Sequence, residues 1–204
     1  MRTTFLASAI LVGILALGGT MARAQEQATP APRVQWTATD MAAIYSTEQS
    51  QVTPTGGGNF WFQGASLNGA FTFYRGLGFA ADLTGEHASH IAPGVGLNEI
   101  DFMVGPRYTF HFSPKSKHEN RFFVEALVGG ARGLSSDFPK ATGLDTKASS
   151  FSYQVGGGWD IQVTKHIAIR AVEADYIESL LPNNGSDTQH RIRLGFGVTY
   201  HSHR

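Results

Sequence analysis

The run Glu86-His87-Ala88-Ser89-His90 puts two imidazoles and a hydroxyl within four residues. A histidine beside a serine can serve as base to its nucleophile when both side chains are held within hydrogen-bond reach. His87 and His90 can also be read as ligands of a metal ion, but two histidines without a fixed scaffold make a weak centre. Three other tracts resolve on context. Gly156-Gly157-Gly158 stands in no strand–helix context and is not a phosphate loop; small residues in a sheet wall account for it. Asn183-Asn184-Gly185 is turn chemistry. His201-Ser202-His203 is a short terminal tract expected to fray. A larger set of charged groups lies inside stretches that alternate with apolar residues: Asp82, Asp101, Arg107, Glu125, Asp160, Arg170, Glu173, Asp175, Arg191 and Arg193. Charges at such positions need partners, because an unpaired ion taken out of water costs several kcal/mol.

The elements that would hold these groups are strands. In residues 98–112, NEIDFMVGPRYTFHF, the apolar positions are Ile100, Phe102, Val104, Tyr108 and Phe110, with Asp101 and Arg107 on the opposite parity. Alternation of this kind is the signature of a strand with one oily face. The pattern predicts eight strands: 34–45, 65–74, 77–85, 98–112, 121–131, 150–163, 166–177 and 190–201. Phe71, Phe73, Phe79 and Leu83 fall on the apolar side of the second and third. Phe122 and Val124 do so on the fifth, Phe151, Tyr153, Val155 and Trp159 on the sixth, and Ile192, Leu194, Phe196, Val198 and Tyr200 on the eighth. The seventh breaks phase, since Arg170 has one parity and Glu173 and Asp175 the other; a bulge near Ala171 would return all three to one face. The connections alternate in length. Residues 46–64, 86–98, 132–149 and 178–189 read as long polar loops, whereas 75–76 and 164–165 are tight. That alternation predicts an all-β, up-and-down antiparallel barrel with its long loops at one end.

The chain has 204 residues, equal numbers of acidic and basic residues and no cysteine. The charge balance gives no reason to expect a nucleic-acid partner, and disulfides and thiolate metal sites are excluded. Arg2, the apolar run Phe5 to Leu17 and Ala22-Arg23-Ala24 compose a secretory signal peptide over 1–24. A polar lead-in follows over 25–33, the barrel spans 34–201, and 202–204 form a short polar tail. Polarity decides which way the barrel faces. Its apolar side is heavy with Phe, Tyr, Ile, Leu and Val. The other side combines Gly105, Gly156, Gly158, Gly195 and Gly197 with the charges, and lysine is nearly absent from the strands. A narrow interior accommodates glycine beside a long arginine, so the charges are expected inside and the oily face against lipid.

With those residues in hand, the chain resembles the small eight-stranded outer-membrane barrels of the OmpA/OmpX type, and the barrel proteins of that kind common in acidobacterial genomes. The likeness covers about 34–200. It rests on LNGAFTFYRGLGFAADLTG (67–85), FMVGPRYTF (102–110), IRAVEADYI (169–177) and the aromatic end of the last strand; here Tyr200 is followed by HSHR instead of closing the chain. The resemblance implies a transmembrane β-barrel in the outer membrane of a Gram-negative cell envelope, with periplasmic termini. Its partners would be outer-membrane lipid, the barrel-assembly machinery during insertion and an unknown surface ligand, and it would be a monomer. The expected role is non-enzymatic, structural or in surface interaction through four long extracellular loops, without cofactor or metal. The alternatives are a narrow pore, an envelope lipid-modifying enzyme using Ser89, and a soluble lipocalin-like binder. The enzyme would need its groups on the barrel wall at the membrane surface, whereas 86–98 reads as a solvated loop. Gly56-Gly57-Gly58 before Asn59-Phe60-Trp61-Phe62 is read as a flexible loop carrying exposed aromatics, or as an extension of the second strand.

Overall fold

The computed structural model describes residues 38–51, 60–92, 95–112, 120–140, 143–182 and 188–203. The signal peptide and lead-in, Gly56 to Asn59 and Asn183 to Gly185 lie outside them. Eight strands are formed: β1 (Ala38–Gln51), β2 (Phe60–Tyr74), β3 (Leu77–Ala92), β4 (Val95–Phe112), β5 (Asn120–Lys140), β6 (Gly143–Gln162), β7 (Ile167–Ser179) and β8 (Gln189–His203). Each pairs antiparallel with the next, and β1 pairs with β8, so the sheet closes on itself and keeps no free edge. Closure satisfies every strand's backbone from its neighbours, which an open sheet in hydrocarbon cannot do.

Ala38 faces His203 across the closing pair, so both ends of the barrel chain lie at one rim, here the lower one. The β2–β3 turn is also there. Arg75 and Gly76 both have positive φ, 45° and 91°, the mirror-image turn that matches strand twist. A Cβ at position 76 would stand 2.3 Å from the Thr109 carbonyl oxygen, which adds a steric reason for glycine.

Two bulges set the phase of the charged face. In β7 the register against both neighbours shifts between Arg170 and Glu173, and Ala171 and Val172 both point outward. Arg170, Glu173 and Asp175 thereby share the inner face. In β2 the register shifts between Thr72 and Tyr74. Simple alternation had put Tyr74 on the polar side; the bulge turns it outward, and Phe73 stacks on Phe79 at 5.6 Å.

The upper ends depart from expectation. Residues 86–98 and 132–149 are largely strand, because the β3–β4 and β5–β6 ladders run on to Ala92↔Val95 and Lys140↔Gly143. Serine, threonine and glycine there read as loop, but inward apolar residues hold these extensions together. Phe62, Ala88, Leu97 and Phe138 form a buried cluster with Phe60 and Ala148 against it. Phe60, Trp61 and Phe62 accordingly extend β2. Trp61 faces outward, while Phe62 is fully buried instead of exposed. At the other rim, Ser202 and His203 complete β8 instead of forming a tail, and His201 is buried.

Candidate functional site

The two faces of β4 show how the barrel is polarised. Phe102 is 56% exposed and its neighbour Met103 is 0% exposed. Asp101 and Arg107 are buried, while Ile100, Val104, Tyr108 and Phe110 are exposed. The other outward positions repeat this: Phe71, Phe79, Leu83, Phe122, Val124, Phe151, Val155, Ile192, Leu194, Phe196, Val198 and Tyr200 are exposed. Phe73, Tyr153 and Trp159 are half-buried on the same face because they lie against Phe79, Tyr176 and Phe122. Ile100 to Phe110 covers about 34 Å of strand, or roughly 25 Å of height at the usual tilt, which matches the apolar band of a membrane barrel.

The inner face is ionic. Among the described residues, ten carboxylates and five guanidiniums are buried. Arg107 bonds Glu125 through both Nε and Nη2, and also Asn68 at 2.6 Å. Arg170 reaches Asp160 at 2.8 Å and Glu173 at 2.7 Å. Arg107 and Arg170 both face the ring of Phe123, at 4.1 and 4.4 Å from its centroid, so one buried ring serves two cations. Gly158 makes room for it, since a Cβ there would lie 2.7 Å from the ring. Arg193 reaches Asp175 at 3.1 Å and Asp82 at 3.7 Å, with Thr84 and Gln154 accepting further bonds. An apolar layer of Ala70, Ala80, Met103, Leu127 and Ile177 also lies in this interior.

Six ionisable members of this interior, Asp40, Glu48, Glu86, Glu99, Arg121 and His201, fall outside the sequence expectation. Arg191 lies 3.2 Å from Glu48, 2.8 Å from Glu99 and 3.1 Å from Asp101. Glu86 accepts from Ser46 at 3.1 Å. At the lower rim Asp40 lies 2.6 Å from His201 and 3.9 Å from Arg121. Glu86 and Glu99 were available from parity, because they extend the faces of Asp82 and Asp101 past the assumed loop boundary. Asp40 and Glu48 were not, since small residues on both faces of β1 blur its alternation.

The run that opened the sequence reading lies on the outer wall. His87 and Ser89 are exposed on β3, and Asn98 is the register partner of His87 on β4. His87 Nδ1 is 2.7 Å from Asn98 Oδ1, and Ser89 Oγ is 3.3 Å from His87 Nε2. His90 is on the same strand, its side chain outside the described residues. No group of three or more metal-ligating side chains forms among the described residues. A second polar group lies on the wall at β6–β8, where Glu178 accepts from Tyr153 at 2.7 Å and Tyr176 at 3.2 Å, and Tyr176 meets His190 at 2.7 Å.

A family model described as outer membrane protein beta-barrel domain matches residues 12–200. Among solved structures the chain is similar to Neisserial surface protein A, at 15% identity over 80% of this chain and 97% of that one, with a TM-score of 0.54. It is also similar to the attachment invasion locus protein Ail of Yersinia pestis, at 14% identity, 82% and 99% coverage and a TM-score of 0.49. OprG of Pseudomonas aeruginosa matches at 7% identity, 83% and 97% coverage and the same score. At these identities the likeness is one of fold. No curated protein sequence matches the chain.

Proposed function

The chain belongs to the outer membrane protein beta-barrel domain family, and from that premise we propose an integral outer-membrane barrel with a sealed, structural lumen that works through its wall and upper rim. The observation that carries this reading is the inversion of polarity: paired ions inside, large apolar side chains outside. A soluble barrel of this size would do the reverse.

The inner charges act as structural glue, and the outward apolar residues face lipid. The N-terminal 24 residues direct export and are removed. Both barrel termini then lie on the periplasmic side, and the β1–β2, β3–β4, β5–β6 and β7–β8 connections project from the cell for surface interaction. Rims of aromatic residues suit the two interfaces: Tyr74, Tyr108, Phe112 and Trp159 below, Trp61, Tyr153 and Tyr176 above. The barrel has no free edge to pair with a second copy, which supports a monomer. A small-solute pore is disfavoured because the buried side chains form both ionic and apolar layers across the lumen.

The test is cell fractionation followed by SDS electrophoresis with and without boiling. The expected result is recovery with the outer membrane and a band that migrates faster before heating. Recovery in the soluble periplasm without a shift would overturn the reading.

A further inference from the structure

We propose that His87, Ser89 and Asn98 form an acyl-ester hydrolase site on the outer wall of the barrel, acting on the ester-linked fatty acyl chain of a membrane lipid. This goes beyond the sealed barrel proposed above, although the position of the site relative to lipid rests on that reading.

The geometry has the required polarity. Asn98 Oδ1 can only accept, so at 2.7 Å it fixes the proton of the neutral imidazole on Nδ1. Nε2 is then the free acceptor, and the Ser89 hydroxyl donates to it at 3.3 Å. Nucleophile, base and orienting group are thus connected in the order that nucleophilic acyl transfer needs. His87 and Asn98 are register partners on neighbouring strands of a closed sheet, and Ser89 follows two residues on along β3, where the β3–β4 register becomes irregular between Ala88 and Ala92. The approach is open: Gly85 lies below His87 on the same face with no atom within 4 Å of a Cβ built there, and at Gly96 on β4 such a Cβ would stand 3.8 Å from the imidazole.

The surroundings select the substrate. Among the described side chains, Leu83 and Ile100 are the uppermost large apolar residues of the band on β3 and β4; Asn98 stands one outward step above Ile100, and His87 two above Leu83, past Gly85. Directly below, the wall holds a groove of about 580 Å³. Ala43, Ala65 and Gly85 leave its floor low, and Tyr45, Leu67 and Ile100 raise its sides. A fatty acyl chain lying in that groove brings its ester carbonyl to the level of Ser89, at the boundary between hydrocarbon and headgroup.

The step balances with water as the only co-reactant. Ser89 Oγ bonds to the ester carbonyl carbon and its proton passes to His87 Nε2. The ester C–O bond breaks, and the leaving alcohol takes that proton. Water then attacks the acyl-serine, gives a proton to His87, and the serine leaves with it as the fatty acid is released. Gln63, exposed and in register with His87 on β2, offers a side-chain amide on the same face as a donor to the oxyanion.

The experiment uses the full chain refolded in detergent, with the heat-dependent band shift as proof of a folded barrel. It is reconstituted separately into phosphatidylethanolamine vesicles and into vesicles bearing lipopolysaccharide, and free fatty acid is measured. Release from either supports the proposal, and the arm that responds identifies the lipid. Ser89→Ala should abolish it, and a fluorophosphonate should label Ser89 in the unsubstituted protein only. Asn98 acts as a positioning residue. Asn98→Ala should lower kcat at least 10-fold with little change in KM, and Asn98→Asp should restore activity with its pH profile moved upward, because a carboxylate stabilises the imidazolium. A folded, heat-shifting barrel with no fatty acid release from either lipid and no labelling of Ser89 would overturn the proposal while leaving the barrel reading intact.

Discussion

At the scale of the residue, the interior is a set of pairings in which each guanidinium answers particular carboxylates. Arg107 shows what one of them contributes. Glu125 is 4% exposed and accepts from Arg107 twice and from Gln154 at 3.3 Å. Replacing Arg107 with Ala leaves that carboxylate buried with one weak donor. The expected cost is about 3–5 kcal/mol, the usual penalty for orphaning one member of a buried pair. Removing Glu125 as well should recover part of the loss, since neither ion then lacks its partner. Urea unfolding of the refolded barrel, followed by tryptophan fluorescence, measures all three variants. If the two single losses simply add in the double variant, the pair is not coupled and the glue interpretation fails at this site. The outer-wall triad obeys a different logic. His87, Ser89 and Asn98 are exposed or half-buried, so they are free of that penalty and substitution there should leave stability almost unchanged.

At the scale of the element, the period of two carried most of the fold. Faces heavy with aromatic and branched residues opposite glycine and charge were enough to place eight strands and their orientation. The β7 bulge was also legible, because Arg170, Glu173 and Asp175 could not all be paired without it. The β2 bulge was not, since Phe73 and Tyr74 are both aromatic and either phase leaves an acceptable outer face. The upper strand extensions were missed for a related reason: their serine, threonine and glycine content reads as loop, and only the partner strands show that the ladders continue. The triad was hidden for the same reason. His87 and Ser89 are neighbours in sequence, but Asn98 reaches them through the β3–β4 register, which spacing does not reveal. The β7 bulge makes the strongest element-level prediction. Deleting Ala171 removes the extra residue, so β7 alternates without a bulge and Arg170, Glu173 and Asp175 all stay on the inner face. Deleting Ala174, a regular position, would instead turn Asp175 and Ile177 outward while Arg170 and Glu173 stayed inside. The first variant should give a heat-shifting barrel and the second should not; a heat-shifting barrel from the Ala174 deletion would show that the register tolerates the slip.

At the scale of the whole molecule, the question is whether the interior is a passage or a packing. Beside the apolar layer centred on Met103 lie the Phe123 ring held between two guanidiniums and the Arg193 and Arg191 groups, and toward the upper rim stand Phe62, Leu97 and Phe138. An eight-stranded barrel has only enough interior to be filled by such side chains. Permeation would require several buried pairs to part together, each at a cost of several kcal/mol. The refolded protein should therefore give no stepwise conductance in planar bilayers, in contrast to a pore. The charge balance adds a condition on the opposite result. With ten buried carboxylates against five guanidiniums, any path that opened would favour cations. Reversal-potential measurements under a potassium chloride gradient would then read a cation preference. Steady conductance in the unmodified protein would overturn the sealed lumen, and an anion preference would overturn the placement of the acidic residues along it.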